Sequence, residues 1–160
     1  MRRTITCLGV LAVAACAWCV VVADDKPATA PAPASEWLMS IPDATAAATK
    51  TSRLILADFT GSDWCGWCMK LKAEVFDTPE FKEWAGKNVV LLEVDFPRAK
   101  KQDDATKKQN KELATKLGVR GFPTIHFLKA DGTSVGQMGY QEGGPKPWIE
   151  AAQKILDAAK

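Results

Sequence analysis

The sequence comprises 160 residues, of which 47% are hydrophobic and 25% are charged, and its formal net charge at pH 7 is +2. A chain of this length and apolar content predicts one globular domain with a core of its own. Because positive and negative charges nearly balance, bulk electrostatics gives no reason to expect a nucleic-acid partner.

The N-terminus has the pattern of an export signal. Two arginines precede an uncharged stretch from Thr4 to Ala23, and charge returns at Asp24. We predict a signal peptide over residues 1–23, cleaved before Asp24, and therefore an exported, periplasmic protein. Two alternatives stay open, because Cys16 lies in a sequence that resembles a lipoprotein signal and the apolar stretch is about long enough to stay in a membrane as an anchor.

The segment after the predicted signal, residues 24–35, is rich in proline and alanine. Such a composition favours an extended linker or a disordered tail over packed structure. The folded domain should therefore occupy residues 36–160, and we expect it to be a monomer.

Beyond residue 36, helical and strand patterns alternate along the chain. Residues 54–59 and 89–95 are nearly continuous apolar runs, as expected of strands that are buried on both faces. The other predicted elements are a short helix after Pro42, a helix after the cysteines, a helix begun by Thr78 and Pro79, a helix closed by Gly118, strands at 124–128 and 134–140, and a helix from Pro147. This order predicts an α/β fold in which a central mixed β-sheet carries helices on both faces.

Removal of the signal peptide leaves two cysteines, Cys65 and Cys68, at a spacing typical of redox pairs. Cys65 stands at the start of the helix after the first strand, where free N–H groups and the helix dipole favour its thiolate. Cys68 lies nearly one turn later, on the apolar stripe of the helix. We therefore predict an exposed nucleophile at Cys65 and a covered resolving thiol at Cys68. A pair so close in sequence restrains the unfolded chain too little to be a strong structural cross-link.

The sequence offers too few ligands for a structural metal site. Such a zinc site needs four ligands, and the mature chain has the two cysteines and one histidine, His126. His126 lies within an apolar strand, where a hydrogen-bonded core histidine is the simpler interpretation. We predict no metal and no organic cofactor, with electrons passing directly between dithiols.

The segment WCGWC after a strand that ends in Asp-Phe, together with GVRGFPT at residues 118–124, resembles the thioredoxin family over roughly residues 36–158. The resemblance implies a thioredoxin fold and disulfide exchange with protein thiols and disulfides. It also implies that Pro123 follows a cis peptide bond beside the cysteine pair and that the backbone of Phe122 pairs with an extended client. Trp64 matches the tryptophan before the first cysteine in that family and is expected on an apolar docking surface.

Several positions depart from the usual pattern of the family. Asp58 stands seven residues before Cys65 rather than six; we predict that it is buried, has a raised pKa and relays a proton to or from Cys68. Asp63 is the competing carboxylate, expected to face solvent or to cap the helix. The lysine usual on the second strand is missing, and Glu93 stands near that place with an open role.

The dipeptide between the cysteines is Gly66-Trp67. Trp67 adds apolar surface for client binding, and the dipeptide contains no histidine of the kind that stabilises the thiolate in strong oxidants. We therefore favour a protein-disulfide reductase or isomerase that exchanges electrons with a membrane dithiol partner. The alternative from another class is a non-catalytic thioredoxin-like module that holds clients or handles copper.

Overall fold

The computed structural model describes residues 36–160. The predicted signal peptide and linker, residues 1–23 and 24–35, lie outside the described residues. Between residues 36 and 160, no helix has both the length and the apolar composition needed to span a membrane.

The elements follow one another in the predicted order. They are α1 (Ile41–Thr51), β1 (Leu54–Thr60), α2 (Gly66–Leu71) with a π-helical continuation (Lys72–Phe76), α3 (Pro79–Asn88), β2 (Val89–Asp95), α4 (Asp104–Leu117), β3 (Thr124–Leu128), β4 (Ser134–Met138) and α5 (Pro145–Ala158). Two predicted bounds are wrong by two residues, because β4 ends at Met138 and α5 begins at Pro145. Pro145 takes the first helical turn, where its missing N–H is not needed.

Two helix boundaries confirm the sequence signals that predicted them. The Thr78 hydroxyl accepts a hydrogen bond from the backbone N–H of Phe81 at 3.3 Å, and Pro79 occupies the first position of α3. Gly118 ends α4 with a φ of 67°, a left-handed conformation that glycine adopts without a Cβ clash.

The four strands form one mixed sheet in the order β2-β1-β3-β4. β1 runs parallel to β2 and antiparallel to β3, and β4 is antiparallel to β3. β1 therefore lies in the interior of the sheet, which explains its continuous apolar sequence.

Alternate residues of β1 enter separate cores on the two faces of the sheet. Leu56 packs with the helices that follow the cysteines, through Leu71, Phe81 and Trp148. The second core contains Ile55, Ala57 and Phe59 of β1, together with Ala44 and Ala48 of α1 and Leu113 of α4. Helices thus cover both faces, as predicted. Asp58 shares strand parity with Leu56, so its side chain lies on the face covered by the cysteine-bearing helix.

Candidate active site

Cys65 occupies the N-cap position of α2, directly after the loop that follows β1. The carbonyl oxygen of Gly61 closes this loop by accepting hydrogen bonds from the backbone N–H groups of Trp64 and Cys65, at 3.1 and 2.8 Å. A Cβ atom at position 61 would lie 2.5 Å from the Trp64 ring, so any residue other than glycine would force this ring to move. The Cys65 Sγ accepts from the backbone N–H of Cys68 at 3.2 Å, so the start of the helix faces the sulfur as predicted.

Cys65 and Cys68 form a disulfide, with their Cα atoms 5.2 Å apart. Cys65 keeps 7% of its surface exposed and Cys68 keeps 4%. The predicted contrast between an exposed nucleophile and a covered resolving thiol is therefore wrong for this oxidised form. The physical reason is that each sulfur covers the other within the bond.

Cys68 and Asp58 line the same cavity, which has a volume of about 130 Å³. Thr60 of β1 and Met69 of α2 form other parts of its wall. A site needs roughly 10–15 Å³ of such volume to hold a water molecule, so this cavity has room for several. The Asp58 carboxyl group and Cys68 therefore border one space that is large enough to hold water.

Asp58 is buried, with 8% of its surface exposed. Burial raises the pKa of its carboxyl group to about 8, and the neighbouring Glu93 and Asp95 carboxylates add to the effect. Within residues 36–160, the Oδ1 atom has no hydrogen-bond partner. The predicted burial and raised pKa both agree with the structure, and the unpartnered carboxyl oxygen belongs to a residue that lines the same cavity as Cys68.

Glu93 lies opposite Asp58 in the parallel register of β1 and β2. Burial and the Asp95 carboxylate raise the pKa of Glu93, while Lys100 and Lys72 offset part of this effect. Both lysines line the cavity that holds Asp58 and Glu93.

These two lysines were not predicted from the sequence, and they come from elements other than the second strand. Lys72 belongs to the π-helical segment, and Lys100 follows β2 in the chain. Lys72 lies seven residues, or two helical turns, after Cys65, and this spacing could have identified it. Lys100 had no comparable signal, because only the folded loop brings it to the cavity.

Asp63 is not a helix cap, because Cys65 occupies that position of α2. Its carboxylate accepts backbone N–H groups of the loop after β2, from Arg98 at 2.9 Å, Ala99 at 2.7 Å and Lys100 at 2.9 Å. These hydrogen bonds, led by those of Arg98 and Lys100, lower the pKa of Asp63 to about 2. Asp63 therefore fixes that loop against the loop that carries the cysteines.

The predicted client-binding residues Trp64 and Phe122 meet beside the cysteine pair. Their rings make an edge contact, with centroids 5.9 Å apart. Phe122 also stacks on Phe96 at 5.1 Å, and the Trp64 Nε1–H donates to the Phe96 carbonyl oxygen at 2.8 Å. The peptide bond between Phe122 and Pro123 is cis, as the resemblance implied.

Trp67 directly precedes Cys68 and is 57% exposed. Its ring contacts that of Tyr140, with centroids 5.3 Å apart. The Lys70 ammonium lies over both rings, and Lys70 and the Tyr140 hydroxyl both contact the Glu74 carboxylate. The cation on this flank is therefore paired within the chain. Trp64 and Trp67, each directly before one of the two cysteines, together present exposed apolar surface.

His126 is a buried strand residue, as predicted. Its Nδ1 is hydrogen-bonded to the Ser134 hydroxyl at 2.9 Å, and burial lowers the pKa of its imidazole. Among the residues that the structure describes, no group of three or more His, Cys, Asp or Glu side chains is placed to hold a metal ion.

Comparison with known proteins identifies the family and the fold. A family model described as a thioredoxin-like domain matches residues 41–151. A solved structure described as the DsbH oxidoreductase is 33% identical to this chain, covers 76% of it and 84% of its own chain, and superposes with a TM-score of 0.73. The mixed sheet and its helices thus have the arrangement predicted from the sequence.

Two curated proteins show related sequences. Disulfide bond reductase DsbH of Chlamydia pneumoniae is 37% identical over 98 residues, which make up 61% of this chain and 59% of that protein. Protein disulfide-isomerase of Ricinus communis is 38% identical over 72 residues, which make up 45% of this chain and 13% of that protein. The chain therefore spans less than two thirds of the length of either protein.

Proposed function

Because this chain belongs to the thioredoxin-like family, we propose that it is a thiol–disulfide oxidoreductase that exchanges disulfides with protein clients through Cys65 and Cys68. The observation that carries the proposal is the position of this disulfide. It lies at the start of α2 and borders a cavity that Cys68 shares with an unpartnered, buried Asp58.

Cys65 is the nucleophile in this proposal. In the reduced protein, its thiolate attacks one sulfur of a client disulfide, and the other client sulfur leaves as a thiolate that takes up a proton. The first N–H groups of α2, including that of Cys68, favour the ionised sulfur of Cys65. This step leaves the client joined to Cys65 by a mixed disulfide.

Cys68 completes the exchange. Because the pKa of Asp58 is about 8, a fraction of the molecules holds its ionised carboxylate at pH 7; in these the Cys68 thiol passes a proton to Asp58 through the shared cavity, and the resulting thiolate attacks the Cys65 sulfur. The client leaves as its second thiolate, and the disulfide between Cys65 and Cys68 forms. In the reverse direction, the neutral Asp58 carboxyl group protonates Cys68 when an incoming thiolate attacks Cys65.

Clients bind to an apolar surface around the disulfide, which we call the docking rim and define as Trp64, Trp67, Phe122 and Pro123. Trp64 is 36% exposed and Trp67 is 57% exposed, although both are large apolar side chains. An extended client segment lies on this rim and pairs its backbone with that of Phe122.

The protein acts outside the cytoplasm in this proposal, on the strength of the N-terminal signal pattern. The domain works there as a monomer, either freed by cleavage or held by its N-terminus. Its electrons come from a membrane dithiol protein, because a thiol–disulfide cycle needs a second dithiol to restore the starting state.

The direction that we propose is reduction or isomerisation of client disulfides. Two of the related proteins bear the names disulfide bond reductase and protein disulfide-isomerase. The dipeptide Gly66-Trp67 provides no histidine to stabilise the Cys65 thiolate, so the reduced form is less favoured than in strong oxidants.

Equilibration with glutathione tests both the redox activity and its direction. We expect a reduction potential of about −180 mV or lower for the Cys65–Cys68 couple. As a matched control, Trp67→His introduces an imidazole beside Cys65 and should make the potential less negative. A value near about −120 mV would overturn the proposed direction, and failure to exchange with glutathione would overturn the proposed activity.

A further inference from the structure

We propose that Arg98 makes the protein selective for client disulfides that carry an acidic side chain two residues from the reactive cysteine. The inference rests on the proposed disulfide exchange and adds a substrate preference to it. Arg98 belongs to the loop after β2, which the sequence analysis did not connect with the cysteines.

Arg98 lies over the aromatic ring that precedes the nucleophile. Its guanidinium group is 3.8 Å from the centroid of the Trp64 ring, within the range of a cation–π contact. The same ring contacts Phe122. The guanidinium group therefore stands at the edge of the docking rim, close to the path of a client bound along Phe122 and Pro123.

The loop that carries Arg98 is held firmly in this position. Asp63 accepts the backbone N–H groups of residues 98–100, and the Phe96 carbonyl oxygen accepts the indole N–H of Trp64. Three hydrogen bonds thus fix the loop backbone, and the ring contact holds the guanidinium group over Trp64. A fixed cation loses less conformational entropy on binding a partner than a mobile one.

The carboxylates nearest to this loop are already engaged. Asp63 bonds to the loop backbone, and both Asp95 carboxylate oxygens accept hydrogen bonds from Ser62, at 2.9 and 2.6 Å. Within residues 36–160, the Arg98 side chain has no hydrogen bond and no carboxylate partner, and the residue is exposed. Its planar set of donors is free to bind a carboxylate from a client.

The geometry of an extended client selects the position of that carboxylate. Successive side chains of a strand point to opposite faces, so the residues two places before and after a cysteine share its face. They lie about 7 Å from it along the strand. Because Arg98 covers the residue next to Cys65, an acidic side chain at one of these two positions can reach it.

The test is a single-turnover reaction of the pre-reduced protein with symmetric disulfide dimers of a blocked alanine-rich peptide. The residue two places before or after its cysteine is Glu, Gln or Lys. Each protein dithiol gives two electrons and two protons to one dimer and releases two peptide thiols. At one of the two positions, we expect the second-order rate constant to be about fivefold higher for Glu than for Gln, and lower for Lys than for Gln.

Three variants separate recognition by Arg98 from a merely structural role. Arg98→Gln should reduce the Glu-to-Gln ratio to about one, and Arg98→Lys should retain part of it. Lys101→Gln removes the same charge from an exposed residue of the same loop and should leave the ratio unchanged. High salt should lower the wild-type ratio.

The outcomes distinguish this inference from the proposed function. The role of Arg98 would be overturned if the wild type reacted with all the peptide dimers at the same rate. It would also be overturned if Arg98→Gln lowered the rate constant for every peptide dimer by the same factor. Disulfide exchange itself would stand in both cases. The role of Arg98 would also be overturned if Lys101→Gln lowered the Glu-to-Gln ratio of rate constants as much as Arg98→Gln does. Absence of reaction with every peptide would overturn the proposed function and this inference with it.

Discussion

Replacing Cys65 with serine should lower the rate of insulin disulfide reduction by about a thousandfold or more, because a hydroxyl group cannot replace the thiolate in attack on sulfur. Cys68→Ser should also stop turnover, but only after the first step. Its Cys65 should capture the client as a mixed disulfide that persists, because the thiol that would displace the client is missing. Turbidity with dithiothreitol as the electron source measures turnover, and mass spectrometry of the adduct formed by pre-reduced protein after removal of dithiothreitol identifies the attacking sulfur.

Both variants lack the disulfide, so the reduced wild-type protein is the reference for their folding. Thermal unfolding of the three proteins under reducing conditions should give similar midpoints. The assigned roles would be contradicted if Cys68 in the Cys65→Ser variant captured the client as fast as Cys65 does in the Cys68→Ser variant. If turnover were equally negligible in the wild type and in Cys65→Ser, the protein would not be an oxidoreductase. The alternative, a non-catalytic module that holds clients or handles copper, would then stand.

Replacing Asp58 with asparagine should stabilise the oxidised protein at pH 8 by about 2 kcal/mol or more, and the gain should vanish near pH 4. The folded-state pKa of about 8 lies above the ordinary value of 3.8. Between these values the folded state holds a proton that the unfolded state releases, so wild-type stability falls as pH rises. Below about pH 4 both states are protonated, and the contribution of the neutral carboxyl group is fully present.

Urea unfolding at several pH values between 4 and 9 measures this difference. Asp63→Asn is the matched control, because the pKa of Asp63 is about 2 in the folded protein and ordinarily 3.8, so this group is ionised in both states above about pH 5. The control should therefore leave the slope of stability against pH unchanged above about pH 5. Parallel stability profiles for the wild type and Asp58→Asn would show that the Asp58 carboxyl group is not neutral in the folded protein.

The same variant tests proton relay. Asp58→Asn should slow the release of the client from Cys65 by about a hundredfold at pH 7, because the amide cannot accept the proton of Cys68. Formation of the mixed disulfide should change much less, since that step needs only the Cys65 thiolate. Rapid mixing followed by acid quenching separates the two steps.

Local sequence patterns predicted the parts of the site that depend on periodicity. The apolar run of β1 and its alternation placed Asp58 on the face of the cysteine-bearing helix, and the one-turn spacing placed Cys68 toward the core. Burial of Asp58 then follows from its position in an interior strand. The low exposure of Cys65 was missed because pattern alone does not show how a disulfide covers its own sulfur atoms.

The parts that sequence reasoning missed depend on contacts between distant segments. Arg98 reaches Trp64, and Lys100 reaches the cavity, only because Asp63 holds their backbone beside the cysteine loop. An irregular loop has no periodicity from which such contacts can be read. The predicted export signal over residues 1–23 remains a prediction from composition.

The most direct test of the account is the rate of alkylation of Cys65 in the reduced protein as a function of pH. An accessible thiolate at the start of α2 predicts that the rate at pH 7 already reaches at least about one third of its value at pH 9. An ordinary thiol reacts roughly twentyfold more slowly at pH 7 than at pH 9. That behaviour at Cys65, or no reaction of the folded protein at either pH, would contradict the proposed chemistry.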